Sequence, residues 1–469
     1  MGYAYMKTGT AVLFGAVIVG ASMVTGARAG RDTSFASFGA FSNLSGLLTQ
    51  QQSADVVAFT NVNVIPMDTD EVLRGQTVVV QGDRIKAIGR TSRVSVPSGA
   101  TLIDGSGKYL MPGLAEMHGH MPGGDLEETV MFLYVANGVT TVRGMLGQDF
   151  HLELRRKAQA GEIIAPTLYM AGPSFNGNSV SSPEQAAEMV RRQKEQGWDL
   201  LKIHPGLTVP QYDAMARTSS EVGIRFGGHV PADVGLRHAI EMGQETFDHL
   251  DGFIEYLDAF DRPIDEAELD ELVRLVRGGG AWVVPTMVLW DVGIIGRGDT
   301  RAMENYPEMR YWPANGVQGW SRRQADRARV AGQDPERADL WATNRMRVLK
   351  ALADGGAGVL MGTDSPQIFS VPGFSVHREM EAMAQAGMTP YQILVSGTKA
   401  VGEYFRRHDS FGTVAVGRRA DLILLNSNPL RDVGNIRDRA GVMVRGRWLP
   451  EDMIQERLAQ IEQRFATDR

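Results

Sequence analysis

MPGLAEMHGH, Met111 to His120, is the stretch whose reading decides the fold. A short apolar run ends there in two histidines one residue apart. Ligand-type side chains at the end of such a run mark a buried parallel strand whose C-terminal end carries chemistry. Working outward, the pattern returns four times: LLKIH holds Lys202, RFGGHV holds His229, ETFDHL holds His249, and GVLMGTD ends in Asp364. His118, His120, Lys202, His229, His249 and Asp364 thus follow one another, each at or just after an apolar run. All are types that hold metal, and their order suits a two-metal site assembled from successive strands of one barrel.

Three further apolar runs, TTVRG, TLYMAG and AWVVPTMV, bring the strand candidates in residues 111–409 to eight, with helical stretches between them. Helices such as SPEQAAEMVRRQKEQG start on a good N-cap and end at Gly. The alternation predicts an α/β fold, a (β/α)8 catalytic barrel with its chemistry at the C-terminal ends of the strands. On either side lie β-prone runs broken by Gly-Asp and Asp-Gly turns: VVAFTNVNVI, TVVVQGDRIKAIG and ATLIDGSGKYL in 54–110, then ADLILLNSNP and AGVMVRGRWL in 410–449. They predict one small composite β-sandwich formed by both chain ends. Residues 450–469 read as an amphipathic helix with Met453, Ile454, Leu458 and Ile461 on one side.

A chain of 469 residues can hold a large α/β domain and a smaller one. The formal charge of −7 gives no basic footprint and disfavours nucleic acid as a partner. With no cysteine, disulfides and thiolate ligands are excluded, so a transition metal would be held by imidazole and oxygen. Residues 1–29 read as a signal peptide: Lys7, an apolar run from Thr10 to Val24, then Ala27-Arg28-Ala29. Gly30 is the expected mature start and the periplasm the expected compartment. The other reading, an uncleaved anchor, is opposed by a run shorter than the ~20 residues a span needs. Residues 30–53, rich in Ser, Gly, Phe and Gln, read as a linker or N-terminal arm. The expected partners are a small-molecule substrate and a second copy of the chain in a homo-oligomer, with no membrane contact after cleavage.

MPGLAEMHGH, with LLKIH, GGHV, FDHLDGF and GTDSP in order, resembles the amidohydrolase superfamily, nearest its imidazolonepropionase-like and prolidase-like branch. The resemblance runs from about Val56 to Leu449. It implies a binuclear centre in which His118, His120 and Asp364 hold the more buried ion and His229 and His249 the second. It further implies that a carboxylated Lys202 bridges both, zinc being the ion best suited to such ligands. A carbamate offers two anionic oxygens where an amine cannot bridge two cations well. A bridging hydroxide would then attack the substrate carbonyl, with Asp364 as general acid and base. The implied reaction is hydrolysis of an amide or peptide-like C–N bond, in an N-acyl amino acid or dipeptide-like substrate with an apolar group. A lactonase or carboxylesterase on the same site is the alternative; from a different class, a metal-free exported binding protein is another.

Other residues are candidates for substrate contact. His204 points the same way along its strand as Lys202. His377 begins the helix after the last strand and resembles a recurring family histidine. Relatives with dipeptide-like substrates carry a histidine in the loop after the third strand, but the stretch Gly172–Asn178 has none, so Tyr256 is the substitute electrophile. Residues 286–345 are rich in aromatics, Trp290 and Trp312 among them, and read equally as a lid over the site or as a dimer interface.

Overall fold

In the computed structural model, residues 56–466 are described. The chain enters as β1 (Val56–Val64), β2 (Leu73–Gln81), β3 (Arg84–Arg90), β4 (Thr101–Asp104) and β5 (Tyr109–Pro112). The Gly-Asp signal between β2 and β3 becomes a two-residue hairpin in which Gly82 takes φ +58°, the backbone a primed turn demands.

Eight parallel strands follow: β6 (Leu114–Gly119), β7 (Val139–Gly144), β8 (Thr167–Met170), β9 (Leu200–Ile203), β10 (Arg225–Gly228), β11 (Thr246–Asp248), β12 (Trp282–Val284) and β13 (Gly358–Val359). Each lies on one of the eight apolar runs. β6, β7, β9 and β11 are buried at every position, which is why they read as continuous apolar runs without alternation. They form two sheets, β6-β7-β8 and β9 through β13 in sequence order. Isolated parallel bridges join the two: Ala171 to Leu200 and Phe175 to Ile203 on one side, Gly119 to Ser365 on the other. The result is a barrel-like α/β ring with two short seams, not the continuous closed barrel expected. The ladder breaks at the second seam because β13 is only two residues long, and the chain beyond it, Leu360 to Asp364, is spent on presenting the site.

The chain then returns to the first sheet as β14 (Leu422–Leu425), β15 (Arg439–Val444) and β16 (Arg447–Pro450). The sheet order is β16-β15-β14-β5-β1-β2-β3, with β4 also paired to β1. Both chain ends therefore build this unit, as expected, but as one hydrogen-bonded sheet and not two stacked ones. An irregularity in β1 between Phe59 and Val64 lets its first half pair with β4 and its second with β5, so one strand serves both arms. The sheet curls around its own apolar core, which includes Val57, Phe59, Val80, Ile85, Leu422 and Met443.

Arg419, between that core and the barrel, pairs with Asp421 (2.6 Å) and Asp409 and donates to Thr141 of β7 (2.8 Å). The last helix, Glu451–Ala466, buries Ile454, Leu458, Ile461 and also Phe465. Among the described residues no helix is long and apolar enough to cross a membrane. The expected signal peptide (1–29) and arm (30–53) lie outside the described residues.

Candidate metal centre

All six ligand-type residues come together at the C-terminal ends of the parallel strands. His118 is in β6 and His120 just after it, Lys202 is in β9, His229 and His249 each follow a strand end, and Asp364 lies five residues beyond β13. Asp364 is the hub: one carboxylate oxygen stands 2.5 Å from His120 Nε2 and 3.5 Å from His118 Nε2, the other 3.8 Å from His249 Nε2. The rings of His118 and His249 are 4.6 Å apart, as are those of His249 and His229. His249 and Asp364 both hold left-handed backbone, φ +65° and +61°. For side chains other than glycine this costs about 1–3 kcal/mol each and persists where surroundings enforce it. Here it turns both side chains toward one point.

Electrostatics suit an ion. Burial, helped by the nearby Lys202 charge, lowers the His118 pKa to about 4, and burial with His229 alongside puts His249 well below the ordinary range. Both rings are therefore neutral and able to ligate at pH 7. Burial alone would raise the Asp364 pKa, but the charge that His118 and His120 carry when protonated more than reverses it, so the carboxyl sits well below the ordinary range and is ionised at pH 7. His118, His249 and Asp364 each offer a ligand atom within 4.8 Å of the others. Two buried atoms in this group, His118 Nδ1 and Asp364 Oδ1, have no hydrogen-bond partner, their short approaches to Asp248 and His120 being out of line. Unsatisfied buried polar atoms are costly; His118 Nδ1 faces Asp248, whereas Asp364 Oδ1 faces the cluster, where a bound cation is the partner it fits.

The structure adds residues that the sequence reading missed. Asp248, directly before His249, is buried between Lys202 Nζ (3.0 Å) and Arg143 Nη2 (3.1 Å). Arg143 also donates to the Met117 carbonyl (2.6 Å) and Thr246 (2.8 Å), so its charge is fixed beneath the site. Each outer histidine has an orienting partner: Thr286 Oγ1 lies 2.7 Å from His249 Nδ1, and Asp251 Oδ2 lies 2.5 Å from His229 Nδ1. Glu116 accepts from the amides of His118 and Thr363, tying the strand of the first ligand to the loop of the last. Alternation gave a signal for Glu116, which faces the same way as His118 on β6. Thr286 and Asp251 carry no local signal, because they act through a loop's path.

Of the substrate-contact candidates, His204 is beside the cluster, stacked on His229 at 4.9 Å and held by Ser174 at 2.6 Å. The others go elsewhere. Tyr256 Oη lies between Arg237 and Glu271 on a short outer helix. His377 is buried against Asn137 (3.0 Å), and the charges acting on it are Arg439, Arg437 and Arg378, none of them in the cluster. Trp290 covers Arg345. Trp312 stacks on Trp320 at 5.3 Å, and Trp320 meets Phe369, five residues beyond Asp364.

The chain belongs to the amidohydrolase family, whose pattern matches residues 109–449. It is similar to an enamidase of Eubacterium barkeri, 38% identical over 158 residues, covering 30% of this chain and 40% of the relative. The chain thus spans less than half the length of that curated relative. Among solved structures it is similar to a bottromycin amidohydrolase (TM-score 0.71, 23% identity, 89% of this chain and 93% of the other). A Xaa-Pro dipeptidase is also similar (TM-score 0.64, 18% identity, 84% and 100%). These two share the fold.

Proposed function

We propose that the chain is a metal-dependent hydrolase that cleaves an amide or peptide-like C–N bond. The observation that carries this reading is the convergence of His118, His249 and Asp364, with the Asp364 Oδ1 unbonded and buried, at the C-terminal ends of a barrel-like ring. His118, His120 and Asp364 would hold one divalent ion, His229 and His249 a second, and Lys202 would join the two as its carbamate. Zinc suits these imidazole and oxygen ligands. When bound, such ions acidify water and polarise a carbonyl oxygen.

The chain's own residues do the rest. Asp364, ionised among imidazoles, takes the proton of the attacking water and passes it to the departing nitrogen, which leaves poorly as an anion. Asp251 and Thr286 fix the ring orientation of His229 and His249, as partners behind metal ligands commonly do. Arg143 stays paired with Asp248 when carboxylation removes the Lys202 ammonium charge, so Asp248 does not become an unpaired buried anion. His204, beside His229, borders the space where substrate enters. The packing of Trp320 on Phe369 places aromatic bulk beside the Asp364 loop and favours a substrate with an apolar group, an N-acyl amino acid or dipeptide-like molecule. A lactone or ester would meet the same machinery. The features of residues 1–29 support export, and mass spectrometry of protein from its host would then show Gly30 as the N-terminus.

A panel of N-acyl amino acids, dipeptides and lactones, offered to the zinc-loaded enzyme, tests the reading. Turnover of an amide with a carboxylate and an apolar side chain is expected. Turnover of lactones alone would overturn the C–N assignment, and no turnover after zinc loading would remove the hydrolase reading.

A further inference from the structure

A cavity of about 100 Å³ is walled by Met287, Trp290, Ile295 and Met346, with Asp291 and Gln385 also on its lining. None of the six ligand-type residues lines it. Arg345 does, and it is the unusual feature: only 4% exposed, in the middle of the helix Pro335–Asp354, with Nε and Nη2 lacking any hydrogen-bond partner among the described residues. Those nitrogens form one edge of the guanidinium, the edge that receives a carboxylate side-on through two parallel hydrogen bonds. The face is already used, because the Trp290 ring lies 3.7 Å from the guanidinium carbon. Stacking holds the plane and leaves the edge free.

Burial lowers the Arg345 pKa to about 10, against the opposing pull of Asp251, Glu255 and Glu379, so the group is a cation at pH 7. None of those three carboxylates bonds it. Glu379 is instead engaged by the amides of Met287 and Val288, and Asp251 by His229. The same three acids set the charge of a fitting ligand, since a second negative charge beside them would be repelled. Arg297, the other cation lining the cavity, is taken by Asp291 at 3.0 Å and Asp339 at 3.2 Å. One free fork, apolar walls and acidic surroundings select a small monoanion with a hydrocarbon tail.

We infer that this cavity is a second ligand site, which binds a short-chain aliphatic carboxylate side-on at Arg345 with its tail among Met287, Trp290 and Met346. Its lining shares no residue with the six ligand-type side chains, and the inference does not depend on which bond the metal centre cleaves. Calorimetric titration of the full metal-loaded chain with butyrate tests it. A single event is expected. Arg345→Gln should weaken it by about tenfold or more, the loss of a charged hydrogen-bond pair. Arg345→Lys should also weaken it, because the charge stays and the fork is lost. Ala382→Phe, which adds a ring to the cavity lining and leaves Arg345 in place, should abolish it, so the reading does not depend on how Arg345 variants fold. His120→Ala, in the metal centre, should leave it unchanged. No binding to the natural chain, or binding lost in His120→Ala and kept in Arg345→Gln, would overturn the site. Equal affinity for inorganic phosphate would overturn its assignment to a carboxylate.

Discussion

Asp364 carries two duties that one substitution separates. Asp364→Asn keeps the shape and one coordinating oxygen but removes the basic one. Amide hydrolysis should fall by ~10²–10⁴-fold if proton transfer is the main loss, while an activated ester, whose alcohol leaves unprotonated, should suffer less. Equal losses with metal retained would assign leaving-group protonation elsewhere, with His204 the first to test. His118 gives a prediction in pH. Its pKa falls from 6.5 to about 4 on folding, so between those values the unfolded chain binds the extra proton and stability drops as pH falls. At pH 5 the chelated protein should be less stable by about 2 kcal/mol from this group than at pH 8. His118→Asn should flatten that part of the melting-temperature profile, and an unchanged slope would remove His118 as its source. At this scale the convergence of the six ligand-type residues was legible because each lies at or just after an apolar run. Asp251 and Thr286 were not, since what makes them neighbours of a histidine is backbone that turns after the strand, His249 itself being left-handed.

The connection between β12 and β13 is where the two readings of the aromatic segment divide. Trp312 and Trp320 are 6% and 4% exposed, packed on each other and on Phe369. They are part of the chain's own core, so they present little apolar surface to a partner or to a substrate, and any influence on the site passes through Phe369. Trp320→Ala should cost about 3–5 kcal/mol as a buried large-to-small change. In the fraction that folds, it should loosen the preference for apolar substrates without changing the molecular mass in solution. A change of mass with unaltered preference would support the interface reading instead. Element existence was legible for all eight parallel strands, because at least all but the first residue of each is buried, and in four of them every residue is. The seams were not, because a two-residue strand and isolated bridges leave no periodicity to read.

Across the whole molecule the curled sheet and the barrel-like ring are tied by Arg419, buried at 3% exposure between Asp421 and Thr141. Arg419→Met should destabilise by about 3–5 kcal/mol, because it leaves the buried Asp421 without its counter-charge. Metal content per folded chain should be unchanged, as none of the six ligands touches Arg419; metal loss without a fall in stability would contradict that division. The joint origin of the sheet was legible in matching β-prone runs at both ends. Its continuity was not: pairing β1 with both β4 and β5 depends on a local irregularity that alternation does not encode. Six side chains from one ring of strands would hold the metal on which hydrolysis depends. The most direct measurement is the metal-to-protein ratio of the purified chain beside that of Lys202→Ala. About two divalent ions per active chain are expected, with most of the metal and activity lost in the variant. A metal-free chain that still turns over its substrate, or a Lys202→Ala protein with full metal and full rate, would contradict it.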